Sequence, residues 1–253
     1  MNKLIVGNLK MNILSPVERE RYLGLFKKEL GRKKLDKTEM VLCPPSIHLE
    51  SFFKALGKKI KIGALNIFWE RQGSFTGEVS PAMVKNFGGE YVVLGHSERR
   101  RYFCENDPEI SLKIVAALKE GLNPILCVGD REQGLKSASV VASQLKNCLD
   151  KVNNTRIENV VICYEPVWAI SSNNPGHLPT SNDVMSARLM IKKFLVGKYG
   201  TKAAGKVKII YGGSVDAKNV REICVDSGMD GALVGRESLV PHEFMRIAEI
   251  INS

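Results

Sequence analysis

Three side chains with acid–base or charge chemistry follow short apolar runs of the sequence. They are Lys10, His96 and Glu165. A carboxylate that emerges from an apolar segment is partly desolvated, which makes Glu165 a candidate general base. His96 precedes a helix that we predict to begin at Ser97, and backbone dipoles there favour a neutral imidazole that donates a hydrogen bond to a carbonyl. With the fixed positive charge of Lys10, these groups could remove a proton next to a carbonyl and stabilise the enediolate that results.

Two glycine-containing segments follow later apolar runs and predict a cradle for phosphate. They read Tyr211-Gly212-Gly213-Ser214 and Gly235-Arg236. Backbone N–H groups in such loops, or at the start of a short helix, bind phosphate. Each feature alone has an ordinary structural explanation: Lys10 as a solvated charge, Ser97 as a helix N-cap and the glycine pair as a tight turn. Their occurrence together after the apolar runs favours a functional site.

Eight apolar runs predict the strands that must position these residues. The runs are rich in β-branched residues and apolar almost throughout, as expected for strands that are covered on both faces. They begin at Leu4, Met40, Ile60, Tyr91, Pro124, Val160, Val207 and Ala232. Amphipathic stretches follow most of them and no linker divides the chain. The pattern predicts an α/β fold with a single (β/α)8 barrel domain over residues 1–253, with an open doubly wound sheet as the alternative.

Two of the amphipathic stretches predict which helix faces pack on the strands. One covers residues 16–30 and stops at Gly31, and the other covers residues 181–199 and stops at Gly200. A glycine after an amphipathic stretch is a typical helix stop. The residues predicted to face the core are Tyr22, Leu25 and Phe26 in the first helix and Met185, Leu189 and Phe194 in the second.

The composition excludes a disordered chain, a collagen and a disulfide scaffold, because 44% of the 253 residues are hydrophobic and 25% are charged. The formal net charge is +10, and residues 1–61 hold 14 Lys or Arg against 6 Asp or Glu. This asymmetry suggests nucleic-acid binding, but the lysine pairs lack the interleaved aromatic residues of a stacking surface. A solvated basic face that could steer an anionic substrate is the favoured interpretation.

The six cysteines predict buried free thiols rather than a metal or redox centre. No two of them form a C-x-x-C pair, and three lie inside apolar runs.

The apolar run after Lys3 is too short for a signal peptide, and no run reaches the roughly 18 apolar residues of a membrane span. We therefore expect a cytoplasmic protein in a reducing compartment, with no metal, no cofactor, no membrane partner and no nucleic-acid partner.

Six motifs, in order along nearly the whole chain, resemble the triosephosphate isomerase family. They are Asn8-Leu9-Lys10-Met11-Asn12, Gly73-Ser74-Phe75-Thr76-Gly77-Glu78, Gly95-His96-Ser97-Glu98-Arg99-Arg100, Cys127-Val128-Gly129, Tyr164-Glu165-Pro166-Val167-Trp168-Ala169-Ile170 and Tyr211-Gly212-Gly213-Ser214-Val215. The resemblance implies a homodimeric TIM barrel that interconverts dihydroxyacetone phosphate and D-glyceraldehyde 3-phosphate, in glycolysis and gluconeogenesis, without a cofactor. An isomerase of a tetrulose phosphate is the alternative.

The resemblance also implies roles for individual residues. His96 polarises the carbonyl, Glu165 moves the carbon-bound proton, and Lys10 contacts the substrate. The substrate-binding residues are Asn8, Lys10, Ser171, Ser214, Gly235 and Arg236, the last four through backbone N–H groups that hold the phosphate. The supporting residues are Ser97, Glu98, Thr76 and Tyr211. Glu98 belongs to the polar network beside Lys10, and Thr76 reaches into the neighbouring subunit. Tyr211 latches a lid that begins at Pro166.

The chain departs from the family pattern at several positions. Leu9 stands where an aromatic residue is usual, Leu65 where glutamine is usual, and Asp130 where glutamate is usual. The lid reads Ile170-Ser171-Ser172-Asn173 in place of Ile-Gly-Thr-Gly and continues into a segment a few residues longer. Arg236 replaces a glycine of the last phosphate loop. Backbone N–H donors survive these changes, so the altered lid and phosphate loops bear on substrate binding rather than on the reactive side chains.

Overall fold

The strands of the molecule close into a parallel barrel. The computed structural model describes residues 2–32, 35–129, 135–169 and 178–253. Within these ranges eight strands pair in chain order, and β1 also pairs with β8. The strands are Lys3–Asn8 (β1), Thr38–Cys43 (β2), Lys61–Ala64 (β3), Tyr91–Leu94 (β4), Asn123–Val128 (β5), Val161–Tyr164 (β6), Ile209–Tyr211 (β7) and Gly231–Val234 (β8). The predicted (β/α)8 barrel is confirmed, and pairing of β1 with β8 excludes the open sheet.

The helices surround the strands. They are Pro16–Leu30 (α1), Leu49–Leu56 (α2), Pro81–Asn86 (α3), Ser97–Tyr102 (α4), Asp107–Lys119 (α5), Leu135–Cys148 (α6), Ser181–Lys206 (α7) and Pro241–Asn252 (α8). A π-helical segment, Arg221–Asp226, connects β7 to β8. Short 3-10 turns at Val167–Ala169 and Arg236–Leu239 follow β6 and β8. Because all strands are parallel, their carboxyl ends lie at one edge of the barrel, which we call the C-terminal rim.

Two apolar layers hold the barrel together. The inner layer is formed by side chains that point into the barrel, and these are Leu4, Val6, Val41, Cys43, Tyr91, Val93, Ile125, Cys127, Val161, Cys163, Ile210 and Leu233. The outer layer packs the opposite faces of the strands against the helices. Because strand side chains alternate in direction, strands buried on both faces must be apolar at nearly every position. This requirement explains why the apolar runs identified the strands so closely.

The helix faces were predicted less well than the strands. In α1, Tyr22 and Phe26 are buried as predicted, but Leu25 is exposed and Leu23 is buried in its place. Residues one position apart in a helix differ by about 100° in direction, so a neighbouring apolar position can turn away from the core. The prediction for Leu25 is therefore wrong.

The same error affects the long helix α7. Met185 and Leu189 are exposed, whereas the buried apolar residues are Val184, Ile191, Leu195, Tyr199 and Ala204. Phe194 packs against the core at partial burial. Two adjacent apolar stripes run along this helix, and only contact with the barrel selects between them. The predicted stop at Gly200 corresponds to a break in the helix, where the backbone has φ of 77°.

Five of the six cysteines are buried as predicted, and Cys104 is exposed. Burial raises the pKa of Cys148 and Cys224 to about 12. No helix in the described parts of the chain has the length and apolarity needed to cross a membrane.

The lysine pair 27–28 lies at the end of α1, and the pair 58–59 follows the end of α2. Helices that follow parallel strands run back from the C-terminal rim, so both lysine pairs lie toward the opposite edge of the barrel.

A buried charged cluster fixes helix α4 to helix α5. The carboxylate of Glu105 accepts hydrogen bonds from Arg99 Nε at 3.0 Å and from Lys113 Nζ, and Lys113 also donates to Asn66 Oδ1 at 3.1 Å. Glu105 and Lys113 are both nearly inaccessible to solvent. Burial alone would raise the pKa of Glu105, but the hydrogen bond and charge of Lys113 and the charge of Arg99 outweigh it and lower the pKa. The cluster therefore holds α4, α5 and the loop after β3 in one arrangement.

We expect Glu105→Gln to lower the free energy of unfolding by about 3–5 kcal/mol at neutral pH, because it leaves the Lys113 ammonium buried without its counter-charge. A carboxyl group with a depressed folded-state pKa stabilises the fold above its unfolded pKa and loses that contribution as the pH falls through the folded value. The difference in unfolding free energy between Glu105→Gln and the wild type should therefore become smaller at acidic pH. Urea unfolding at fixed protein concentration measures both effects, with the exposed Glu222→Gln as control. A deficit that does not change with pH would contradict the assignment.

Candidate active site

The residues singled out by the sequence meet around one cleft at the C-terminal rim. The cleft has a volume of about 700 Å³. Its lining includes eight of them, namely Asn8, Lys10, His96, Gly212, Gly213, Ser214, Gly235 and Arg236. They come from the ends of β1, β4, β7 and β8, which the barrel brings to the same edge. The cleft also contains Asp216, Asn219 and Glu237, which the sequence did not single out.

Lys10 lies on a backbone that is held in an unusual conformation. Its φ is 51°, in the left-handed region, and the buried Asn8 accepts a hydrogen bond from the Lys10 N–H through Oδ1 at 3.0 Å. Lys10 Nζ lies 2.6 Å from Glu98 Oε1. A left-handed backbone at a residue other than glycine costs free energy and persists only where surrounding contacts fix it. Here those contacts direct the ammonium group into the cleft and pair it with the first turn of α4.

The next part of the same loop is fixed by a second set of hydrogen bonds. Ile13 also has a left-handed backbone, with φ of 66°, and its carbonyl oxygen lies 2.8 Å from Nε2 of the buried His48. Asn12 Nδ2 donates to the carbonyl of Leu9 at 2.7 Å. A β-branched residue with positive φ is strained. The loop after β1 is thus held by contacts from its own residues and from the loop after β2.

His96 is the N-cap residue of α4. Its Nδ1 accepts a hydrogen bond from the backbone N–H of Glu98 at 3.2 Å. A ring nitrogen that accepts a hydrogen bond carries no proton, so the geometry favours a neutral imidazole with its proton on Nε2. This agrees with the neutral donor predicted from the sequence. The helix begins at Ser97 as predicted, and its N-cap residue is His96 rather than Ser97.

Glu165 is buried beside His96 and does not line the cleft. Its side chain is 1% exposed, and Oε2 accepts a hydrogen bond from the backbone N–H of Ser97 at 3.0 Å. Oε1 lies 3.4 Å from His96 Nε2 and has no hydrogen-bond donor among the residues that the structure describes. The carboxylate is therefore held next to the cleft on a helix N-terminal amide. It must turn away from Ser97 to reach a molecule bound in the cleft.

Two cysteine thiols pack against the Glu165 side chain. Cys127 and Cys163 are register partners in β5 and β6, and one ligand-type atom from each of these three residues lies within 4.8 Å of the others. The sequence spacing missed this set because its members meet only through strand register. Burial raises the pKa of both thiols, and hydrogen bonding and the charge of Glu165 add to the effect at Cys127. They therefore stay as S–H groups and support the carboxylate by packing.

Glycine is required where the loop after β7 passes under Glu165. A Cβ on Gly212 would lie 2.9 Å from Glu165 Cγ and closer still to the Cys163 sulfur, and a Cβ on Gly213 would overlap the Tyr211 hydroxyl. Burial raises the pKa of Tyr211, and its hydroxyl has no hydrogen-bond partner within the described ranges. Residues 170–177 of the lid to which Tyr211 is predicted to bind, Ser171 among them, lie outside those ranges, as does Asp130.

Ser214, Gly235 and Arg236 surround the end of the cleft predicted to bind phosphate. Ser214 Oγ donates to the carbonyl of Ala169 at 3.0 Å, which joins the loop after β7 to the segment after Glu165. Asn219 Nδ2 donates to the Ser214 carbonyl at 3.2 Å. A Cβ on Gly235 would lie 3.6 Å from Lys10 Cε. The loop after β8 therefore stands next to the cation of the first loop.

Thr76 lies away from the cleft, at the tip of a projecting loop. Gly73 and Gly77 have φ of 151° and 94°, and the Phe75 N–H donates to the Gly73 carbonyl at 3.0 Å, which forms a tight turn. Thr76 and Phe75 are exposed. The segments that follow β1, β2 and β4 also expose large apolar side chains, namely Met11, Leu14, Val17, Ile47, Tyr102 and Phe103. Apolar exposure on this scale is typical of an interaction surface.

Comparisons with known proteins cover almost the whole chain. The family model described as triosephosphate isomerase matches residues 3–251. A triosephosphate isomerase of Thermoanaerobacter sp. (strain X514) is 42% identical over 249 residues, 96% of this chain and 97% of the relative. One from Dictyoglomus thermophilum is 40% identical over 252 residues, 98% of each chain. One from Lactobacillus delbrueckii subsp. bulgaricus is 39% identical over 249 residues, 96% of each chain.

We expect Gly212→Ala to lower turnover by about a hundredfold, because a displacement of about 1 Å at a reacting group has that effect. The new methyl group would meet Glu165 Cγ and push the carboxylate from the Ser97 amide. The control is Gly197→Ala on α7, where a Cβ meets no atom within 4 Å and alanine favours the helix. Steady-state rates of both variants test the prediction. Equal turnover in Gly212→Ala and the wild type would show that Glu165 does not depend on this glycine.

Proposed function

Because the chain belongs to the triosephosphate isomerase family, we propose that Glu165, His96 and Lys10 carry out the proton transfers of its reaction. The chain is an isomerase that interconverts dihydroxyacetone phosphate and D-glyceraldehyde 3-phosphate, a step of glycolysis. The observation that carries the assignment of roles is the first turn of α4. There His96 has Nδ1 occupied by the Glu98 amide, while Ser97 holds Glu165 and Glu98 holds Lys10.

Glu165 is the base that moves the carbon-bound proton. On substrate binding its carboxylate turns from the Ser97 amide into the cleft and removes a proton from the carbon next to the carbonyl. The electron pair of that C–H bond forms the C=C bond of the enediolate, and the carbonyl oxygen takes the negative charge. The carboxylic acid then returns the proton to the neighbouring carbon, which produces the other triose phosphate and restores the carboxylate.

His96 and Lys10 stabilise the oxygen atoms of the enediolate. The neutral imidazole donates from Nε2 to the oxygen that becomes negative, and it exchanges a proton between the two oxygens as the carbonyl moves. Lys10 supplies a positive charge that is already in place before the reaction, so no reorganisation is needed when the negative charge develops. Its pairing with Glu98 at 2.6 Å keeps the ammonium group directed at the cleft.

The phosphate is held by backbone N–H groups of Ser171, Ser214, Gly235 and Arg236, and Asn8 orients Lys10 toward the substrate. The hydrogen bonds from Ser214 to Ala169 and from Asn219 to Ser214 support this assignment, because they fix the loop after β7 against the segment that follows Glu165. Tyr211 latches the closed lid, which keeps water from the enediolate. No observation favours the alternative tetrulose phosphate substrate. A coupled assay with each triose phosphate, and with a tetrulose phosphate for comparison, tests the substrate directly.

The functional unit in this proposal is a homodimer. Thr76 reaches into the neighbouring subunit and braces its site, and the exposed apolar side chains around loop 73–77 are covered by the partner. Met11 is 90% exposed and Leu14 is 83% exposed in the single chain, which supports burial in an assembly. We place the enzyme in the cytoplasm, where free thiols persist, and expect neither a nucleic acid nor a membrane as a partner.

Glu165→Asp withdraws the carboxylate by one methylene, roughly 1 Å, which should lower kcat by about a hundredfold. KM should change little, because the charge remains and only the proton-transfer geometry is lost. Steady-state kinetics in both directions measure the effect, and the exposed Glu222→Asp serves as control. Wild-type kcat in Glu165→Asp would contradict the role of Glu165 as the base.

Thr76→Arg should separate the subunits and abolish most of the activity, because a buried, unpaired cation at the centre of an interface is costly. Sedimentation and activity measured on the same sample test this outcome. Thr201→Arg, an exposed substitution of the same type on α7, should leave both the assembly and the activity unchanged. A fully active monomer would overturn the proposed dimer.

A further inference from the structure

The side chains that line the cleft offer little unpaired positive charge at the end proposed to bind phosphate. The charged lining residues are Lys10, Asp216, Arg236 and Glu237. Lys10 is already paired with Glu98. Asp216 Oδ1 accepts hydrogen bonds from the N–H groups of Lys218 and Asn219, at 2.7 and 3.0 Å, which hold the carboxylate beside the cleft. Without Arg236, the charges that line the cleft would be the paired Lys10 and the two carboxylates of Asp216 and Glu237.

Arg236 is the lining cation whose charge is available. Its side chain is exposed and forms no ion pair or hydrogen bond with any residue in the described ranges. It begins the 3-10 turn Arg236–Leu239 directly after Gly235, the residue that stands against Lys10. The backbone N–H of Arg236 belongs to the proposed phosphate cradle. The guanidinium group of the same residue is not paired with a neighbouring carboxylate among the described residues.

We propose that the Arg236 side chain determines affinity for the phosphate group by binding the dianion directly, in addition to the backbone N–H groups of the loops. This inference rests on the proposed function and adds a residue-specific contact to the phosphate site. A guanidinium presents several N–H donors in a planar fork that matches two phosphate oxygens. The adjacent Glu237 carboxylate opposes this binding, so Arg236 and Glu237 set the affinity together.

The contact acts on substrate binding rather than on the chemical step. The phosphate charge is the same in the bound substrate and in the transition state, so an interaction with it stabilises both equally and changes KM more than kcat. Because the guanidinium is exposed, the pair gains only the modest energy of surface ion pairs and is screened by salt. The contribution should therefore weaken as ionic strength rises.

The test compares Arg236→Met, Arg236→Lys and Glu237→Gln with the wild-type enzyme. We expect Arg236→Met to raise KM for both triose phosphates about two- to fivefold, with kcat nearly unchanged, and to flatten the dependence of kcat/KM on ionic strength. Arg236→Lys keeps the charge and should recover most of the salt dependence, whereas Glu237→Gln should lower KM. Inorganic phosphate should inhibit Arg236→Met more weakly than the wild type.

Two controls separate phosphate binding from a structural effect on the loop. Arg246→Met on α8 removes the same charge from an exposed position outside the cleft and should leave KM unchanged. Glyceraldehyde, which lacks the phosphate, should show the same kcat/KM in Arg236→Met and the wild type.

A wild-type KM and salt dependence in Arg236→Met would overturn the inference. An equal loss with glyceraldehyde would overturn it too, because that loss would come from the loop rather than the phosphate. Failure of the wild-type enzyme to isomerise triose phosphates would instead overturn the proposed function.

Discussion

The site depends on the hydrogen bonds made by the first turn of α4. An α-helix begins with N–H groups that have no partner within the helix, and this turn uses them to organise the site. The Ser97 amide holds Glu165, and the Glu98 amide fixes the ring of His96. The Glu98 side chain holds Lys10. The three side chains that we propose to be catalytic follow β1, β4 and β6, and all three contact this one turn, which fixes their positions relative to one another.

The rest of the barrel serves to place that turn. Strand register brings the ends of β1, β4 and β6 to the same edge, and the Glu105 cluster fastens α4 to α5 from behind. Gly212 leaves room for the Glu165 side chain, and the strained backbone at Lys10 is maintained by Asn8 and by neighbouring loops. The strained backbone at Lys10 costs free energy locally, and the two apolar layers of the barrel supply the stability that offsets this cost.

Sequence patterns predicted the strands well and singled out residues that the structure brings to one rim, because each pattern has a cause that is local in the chain. Strands covered on both faces must be apolar, and motifs at their ends stand out against that background. Helix faces were harder: Leu25, Met185 and Leu189 were assigned to the core although they are exposed, since adjacent apolar stripes are equivalent until the barrel selects one.

The remaining features depend on contacts between distant parts of the chain. Neither the Cys127–Cys163 neighbourhood nor the Ser97 amide that holds Glu165 has a local signature. The same is true of the charges of Asp216 and Glu237 in the cleft.

The burial of the cysteines, which was predicted, also has a consequence for how the molecule can be studied. Cys43, Cys127 and Cys163 point into the barrel, and burial raises the pKa of each thiol, so alkylating reagents reach them only when the inner layer opens. Cys104 is exposed, so its thiol is accessible to reagents in the folded chain, whereas Cys148 and Cys224 are buried in the outer layer. Slow alkylation that is assigned to Cys43, Cys127 and Cys163 therefore reports the opening of the barrel interior, and the chain carries its own native-state probe of that event.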